Sequence, residues 1–357
     1  MSFRLTDLRW DAIVLQLALG AVGGTLAWYA GAPMPFLVGG LLAVAAASIR
    51  SDGHGVFAYR FPAPFRRYFT AIIGVMIGQS FTPGLIQGVS AYWVTLLGVA
   101  VFVIAAQGLG YLLFRRLGGY DPKTAFFAAM PGGLIEAVTF SEKFGADVQA
   151  ITVQHFARVI LVVVIVPFMF LIWTGVTVGS ASGASMGDGH AHTVSDVLWT
   201  LVIAGGGIVL GQFMRLPASI LIGPLLLSAV ITGTGVLSVS EPLWMLYTAQ
   251  LVVGVGLGSS FAGIERARLI RAFGLSLVSV IVFLCVGVVF ALVLHRLTGL
   301  NLPALIVSFT PGGVTEMSLI ALSLNLSPII VATHHVFRIL FTVFVASFVA
   351  RRMDRWG

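Results

Sequence analysis

The sequence predicts an all-α polytopic membrane protein made of two inverted repeats, each with about five transmembrane helices plus one broken or re-entrant Pro-Gly-Gly helical hairpin. Composition, the spacing of apolar runs and a motif that occurs twice predict it. Of 357 residues, 58% are hydrophobic and 9% charged, against about 25% charged in a soluble domain. Mean hydropathy is +1.03. Such a chain cannot present the polar surface of a water-soluble enzyme or DNA-binding module. The formal charge of +7, from 20 Lys and Arg against 13 Asp and Glu, collects between apolar runs, as topology signals do. The 42 glycines suit closely packed or interrupted membrane helices. Cys285 is the single cysteine, which excludes an internal disulfide and a cysteine metal site.

Two motifs, Pro131-Gly132-Gly133-Leu134-Ile135-Glu136 and Pro311-Gly312-Gly313-Val314-Thr315-Glu316, lie 180 positions apart. The same offset aligns His155 with His335, Arg158 with Arg338, Gly74 with Gly254, Gly78 with Gly258, and Ser80-Phe81 with Ser260-Phe261. Four more positions align Pro33 with Pro217 and Gly39 with Gly223. The first apolar run follows Arg4 and Arg9 and ends in Ala30-Gly31-Ala32, as a signal peptide would. Its counterpart in the second half, Ser195 to Met214, makes it part of the fold. The domain reading is a first membrane repeat at 10–175, a periplasmic linker at 176–194 rich in Gly, Ala and Ser, and a second, inverted repeat at 195–352.

Spans of bilayer length are expected at about 11–30, 34–50, 67–87, 90–114 and 148–173, then at 196–214, 217–235, 243–262, 272–294 and 328–350. Arg4 and Arg9, then Arg50, Arg60, Arg66 and Arg67, then Arg115, Arg116 and Lys123 are expected on the cytoplasmic side. Loop Thr82 to Ser90 carries no charge, yet its counterpart is Glu265-Arg266-Ala267-Arg268 with Arg271. That reversal is the argument for inversion. It puts the linker, with Asp188, His190 and His192, in the periplasm and the Arg351-Arg352 tail in the cytoplasm of a bacterial inner-membrane protein. His295 and Arg296 are exceptions, basic on the expected outside. Inversion requires an odd number of crossings per half, so each Pro-Gly-Gly segment should enter and leave on one side. A broken helix that crosses fully is the competing geometry.

Proline removes a backbone donor and glycine permits unusual dihedrals, so the helix stops at Pro-Gly-Gly. Backbone freed at membrane depth survives only inside protein or beside water. The amides at Leu134 and Ile135, and at Val314 and Thr315, would open a new helix whose N-terminus favours an anion; a structural kink is the alternative. Glu136 and Glu316 fall in the first turn of that helix. They bind substrate, cation or proton, or they cap the helix. His155 and Arg158, like His335 and Arg338, are three apart and share a helical face. A histidine relays protons near neutral pH and an arginine offers a fork to a carboxylate. A structural bridge from the hairpin to the last helix is the other reading. His334 has Gln154 as its counterpart. The Gly74/Gly78 and Gly254/Gly258 pairs have small-xxx-small packing spacing, and Ser80 and Ser260 are weak cavity candidates. No nucleotide-binding loop, zinc-protease pair or nucleophile elbow occurs, so neither an enzyme nor a cofactor or catalytic metal is expected.

The duplicated Pro-Gly-Gly-x-x-Glu, each followed by His-x-x-Arg, resembles the bacterial AbrB family of membrane proteins over about 10–350. The resemblance implies kinship with inverted-repeat cation-proton antiporters and bile-acid symporters. The family is also labelled a transcriptional regulator or an ammonia monooxygenase. This sequence has no soluble domain for direct contact with nucleic acid and no copper-ligand array. The expected function is a secondary transporter of a small anionic or polar solute, coupled to protons or a cation. A membrane-embedded sensor that alters gene expression indirectly is the alternative. Expected partners are a small-molecule or ion substrate, the lipid bilayer and, compatibly with the sequence, a second copy of the chain.

A cysteine placed at Ser185 in the linker is expected to react with a membrane-impermeant thiol reagent added outside. Labelling only from the cytoplasm overturns the orientation.

Overall fold

The computed structural model describes residues 8–32, 34–51, 54–79, 92–132, 134–175, 193–214, 216, 219–235, 237, 239, 242–324 and 326–353. These hold fourteen α-helices and no strand. The helices are α1 (Trp10–Tyr29), α2 (Pro35–Arg50), α3 (Ala63–Gln79), α4 (Trp93–Arg116), α5 (Pro122–Ala129), α6 (Leu134–Phe144), α7 (Val148–Thr174), α8 (Val194–Phe213), α9 (Ser219–Gly233), α10 (Leu243–Gly258), α11 (Arg266–Thr298), α12 (Leu302–Phe309), α13 (Val314–Ser323) and α14 (Pro328–Met353). Among the described residues, seven stretches are long and apolar enough to cross a bilayer: α1, α4, α7, α8, α10 with its following turn, α11 and the apolar part of α14. The other three expected spans contain helices of 16, 17 and 15 residues, α2, α3 and α9. At 1.5 Å per residue these are roughly 23 to 26 Å long, short of the ~30 Å hydrocarbon core. Span 67–87 runs past residue 79 and so partly outside the described residues, as do Pro33, Gly133, Ser80, Phe81, the Thr82 loop, Pro217 and the 176–192 linker stretch with Ser185, Asp188, His190 and His192.

The long helices are apolar on every side. In α1, Val14, Val22 and Leu26 face outward while Ala12, Ile13, Gln16, Gly20 and Gly24 face inward. In α11, Ile281, Val289 and Val293 face outward. An outward face of branched aliphatics suits lipid and penalises water contact. This is a multi-pass membrane protein.

The chain forms two compact units, and each draws on both repeats. The first holds α1, α2, α3, α8, α9, α10 and the C-terminal end of α7, with residues 322–324. The second holds α4, α5, α6, α7 as far as Ile165, α11 from Ala267, α12, α13 to Ala321 and α14. Helix α7 passes from one unit to the other beside Pro167, where proline removes a rung from its hydrogen-bond ladder.

Glycine assembles the first unit. A Cβ on Gly23 would lie 2.5 Å from the Gly39 carbonyl oxygen, and one on Gly207 would meet Gly223 and Pro224. These are equivalent pairs, α1 on α2 and α8 on α9. The repeats then exchange partners. A Cβ on Gly74 would lie 2.5 Å from the Leu221 carbonyl and one on Gly254 2.5 Å from that of Leu37. Gly78 likewise approaches the Leu225 carbonyl and Gly258 that of Leu41. Leu37 and Leu41 correspond to Leu221 and Leu225 by the offset already read from Gly39 and Gly223. So α3 packs on α9 as α10 packs on α2. The small-xxx-small glycines are therefore packing residues. Ser260 bonds the Gly256 carbonyl of its own helical turn at 3.0 Å. Buried Gln16 secures a 3-10 turn, Val56–Ala58, by donating to Val56 O at 3.0 Å and to Tyr59 O at 2.7 Å.

In the second unit both Pro-Gly-Gly segments open identically. A left-handed glycine, Gly119 or Gly299, precedes an N-cap. Asp121 accepts from the Lys123 and Thr124 amides, each at 3.0 Å, and Asn301 accepts from the Ala304 amide at 3.2 Å. Burial disfavours the Asp121 anion, but the bonds from Thr124 and Lys123 together hold its carboxyl below the ordinary value. Eight-residue helices follow, α5 and α12, and each stops at proline. The first segment then doubles back. The Asp147 amide, beyond the end of α6, donates to Thr124 Oγ1 in the first turn of α5 at 2.9 Å. Phe127 stacks with Phe140 and Phe144 at 6.3 and 6.2 Å. Entry and exit thus share one end, which a fully crossing broken helix does not allow.

Two expectations change. Arg266, Arg268 and Arg271, read as a loop, form the first turns of the 33-residue α11, because their charges sit at its polar end. Arg271 donates to the Gly118 carbonyl at 2.5 Å and Arg268 to Gln149 at 2.8 Å. His295 and Arg296, the exceptions to the charge pattern, occupy the last turn of α11, where cations complement the helix dipole. His295 Nδ1 donates to the Leu300 carbonyl at 2.6 Å.

Gly78→Ala and Gly258→Ala are each expected to destabilise the protein by about 1–3 kcal/mol through overpacking. Gly205→Ala, where a Cβ meets nothing within 4 Å, should be neutral or gain up to ~1 kcal/mol from helix propensity. Thermal unfolding in detergent reads all three, and equal tolerance at the three positions overturns the packing account.

Candidate functional site

The candidate site lies wholly within the second unit, where α14 and α7 carry the His-x-x-Arg pairs past the broken helices. In the second repeat, Pro311 has no N–H and the next helix starts only at Val314, so apart from the Gly312 amide, which donates to Thr310 O at 2.8 Å, carbonyls at the break look to side-chain donors. Arg338, 2% exposed, supplies them. Its Nη1 donates to Thr310 O at 2.5 Å, and its Nη2 donates to Gly312 O at 2.6 Å and to His335 Nδ1 at 3.0 Å. His335 in turn donates from Nε2 to Val307 O at 3.0 Å, in the last turn of α12. A carbonyl only accepts, so His335 carries its proton on Nε2 and leaves Nδ1 to receive Arg338. One residue pair on α14 thereby closes the end of α12 and its break. The guanidinium binds backbone, where the sequence pointed to a carboxylate.

Arg338 also reaches the other hairpin. Its Nε lies 3.7 Å from the position a Cβ would occupy on Gly132, and it has no acceptor among the described residues. The Ile339 Cα is 3.9 Å from that same position. A Cβ at 132 would make only ordinary van der Waals contact with α14, so the first break runs within side-chain reach of it. One turn of α14 thus bonds one break and passes beside the other.

The first repeat arranges its pair differently. His155 donates from Nδ1 to Ile151 O of its own helix at 3.0 Å, and its Nε2 has no partner among the described residues. The Met130 carbonyl at the first break is near enough to act on the ring electrostatically. Arg158 is 5% exposed, and no described residue accepts a hydrogen bond from it. It acts electrostatically on both His155 and Arg338. The Arg9–Asp11 pair at the surface is the one salt bridge among the described residues.

Of the residues expected from sequence, Pro131, Gly132, His155, Arg158, Pro311, Gly312, Gly313, His335 and Arg338 come together around the breaks. Gly133 lies outside the described residues. Glu136 and Glu316 are the third residues of α6 and α13, in the first turn as expected, and their side chains lie outside the described residues. His334 is fully buried and donates to Ile330 O at 2.6 Å. Its ring lies against Phe309 and Tyr92, so it packs α14 within the core.

Sequence reasoning passed over Gln154 and Gln107. Gln154 donates to Ser276 Oγ at 2.6 Å and to Ala272 O at 3.2 Å, tying α7 to α11. Gln107 donates to Phe126 O at 2.7 Å, tying α4 to the hairpin. The available signal was an uncharged polar side chain inside an otherwise apolar helix, which membrane burial commits to a partner.

Comparison with known proteins agrees with this picture. The family model described as "Transition state regulatory protein AbrB" matches residues 36–354. The "Uncharacterized protein YhjN" of Bacillus subtilis (strain 168) is 24% identical over 349 residues, covering 92% of this chain and 89% of that protein. The "Putative regulator AbrB" of Escherichia coli (strain K12) is 22% identical over 300 residues, covering 80% of this chain and 82% of that protein. The family match takes in both Pro-Gly-Gly breaks and both His-x-x-Arg pairs and covers most of the chain, and the chain belongs to the AbrB family.

Proposed function

We propose that this protein is a secondary transporter of the bacterial inner membrane that moves a small anionic or polar solute, coupled to protons or a cation. The observation that carries the proposal is the convergence on α14 of two broken helices, with Arg338 bonded to the Thr310 and Gly312 carbonyls of one break and its Nε beside Gly132 of the other. Broken helices packed around buried cations are how inverted-repeat transporters make a solute site without a lipid-exposed backbone. The reciprocal glycine contacts and the charge reversal between halves support inversion of the repeats and cytoplasmic termini. Glu136 and Glu316, opening α6 and α13, are the proposed proton or cation acceptors. The substrate and the bilayer are its partners; direct contact with nucleic acid, a bound cofactor and catalysis have no part in this reading.

The alternative is a membrane-embedded sensor whose ligand binding alters gene expression indirectly. The printed name of the Escherichia coli relative, a regulator, favours it.

Charge movement across proteoliposomes separates the two. Under proton or sodium gradients, with a panel of small organic ions, wild type is expected to give substrate-dependent current. Glu136→Gln with Glu316→Gln should reduce that current at least tenfold, as loss of about 1.4 kcal/mol or more of coupling at the site would. Folded protein that binds a panel member without current overturns the transporter reading and favours the sensor.

A further inference from the structure

The two His-x-x-Arg pairs occupy equivalent positions and have unlike partners. On α14 both Nη groups of Arg338 are engaged: Nη1 and Nη2 hold Thr310 and Gly312, Nη2 also reaches His335, and His335 holds Val307. On α7 the counterparts of Thr310 and Gly312 are Met130 and Gly132, yet Arg158 bonds neither. His155 has turned to its own helix and left Nε2 unpaired. Both α7 side chains are more than nine-tenths buried.

A guanidinium taken out of water without an acceptor is costly, and more so with a second guanidinium acting on it. Arg338 resolves this with carbonyls, whereas Arg158 keeps its donor fork without an acceptor among the described residues. We infer that the duplication has divided one ancestral pair into two roles. Arg338 with His335 is a fixed strut for the broken α12, and Arg158 is the receptor for a small oxyanion.

The planar fork matches a group with two coplanar oxygens, as in a carboxylate or two oxygens of a phosphate. Nearby Arg338 raises the local positive potential without offering its own Nη groups. This rests on the transporter reading for its biological meaning, though the binding claim stands on the geometry alone. It names the solute class, an oxyanion, and the side chain that meets it first.

Thermal unfolding in detergent tests it, with sodium acetate or sodium phosphate against sodium chloride at matched ionic strength, and acetamide as the uncharged analogue of acetate. In wild type, acetate or phosphate should raise the midpoint above chloride, the effective anion identifying the oxyanion class, and acetamide should not. Arg158→Gln should match or exceed the wild-type midpoint without oxyanion and lose the rise. Arg158→Lys, which keeps the charge and loses the fork, should retain a smaller rise. Arg338→Gln should lower the midpoint with or without oxyanion. No rise in wild type with either anion overturns the inference, as does an undiminished rise in Arg158→Gln. A rise that depends on Arg158 without current in proteoliposomes keeps the site and removes the transporter, whereas current that survives Arg158→Gln removes the site and keeps the transporter.

Discussion

An arginine bonded to backbone carbonyls holds the broken helix of the second unit together. Breaking a helix inside an apolar interior strands carbonyl groups that water would otherwise satisfy, and each stranded group costs several kcal/mol in hydrocarbon. Arg338 supplies the missing donors from within the same unit. Its charge remains on a delocalised, weakly hydrated group, the form of cation that tolerates burial best. The break at Pro311 is closed by this partner, and the short helices α5, α6, α12 and α13 depend on the breaks. Without them, a chain this apolar would form continuous spans and expose no backbone to a solute.

The rest of the architecture is an economy of small residues. Unit one is held by glycines pressed on carbonyls, in pairs that swap between repeats. Unit two is held by a few amide side chains, Gln107 and Gln154 among them, each fixing one helix to another. In an apolar surrounding there is little hydrophobic gain from bringing helices together, so close packing and hydrogen bonds set the pairing.

Much of this could be read before any coordinates. Apolar runs located the helices, the proline of each Pro-Gly-Gly located the breaks, and the 180-residue offset located the paired histidines and arginines. The fate of those pairs was not legible. A sequence displays side-chain acceptors and hides backbone ones, so the carbonyls of Thr310 and Gly312 could not be read in advance as partners of Arg338. Nor could the interleaving of the repeats be read, since Gly74 on Leu221 and Gly254 on Leu37 are long-range contacts with no local signature. The start of α11 was hidden for another reason: Arg266, Arg268 and Arg271 end the apolar run, although arginine at a helix end keeps its charge in water while its stem covers apolar surface. Equal sequence in the two His-x-x-Arg pairs also concealed an unequal structure, because which nitrogen of His155 or His335 holds the proton is decided by which carbonyl is nearest.

The exchanged contacts of the first unit bear on how such a protein drifts. At Leu37, Leu41, Leu221 and Leu225 the partner helix touches the carbonyl oxygen, an atom every residue possesses. The leucines can therefore change without altering that interface, while the facing glycines cannot gain a single carbon. Helix pairing in this unit is thus encoded at a handful of positions and left free at the rest. A fold specified that sparsely can lose most of its recognisable sequence and still close in the same way.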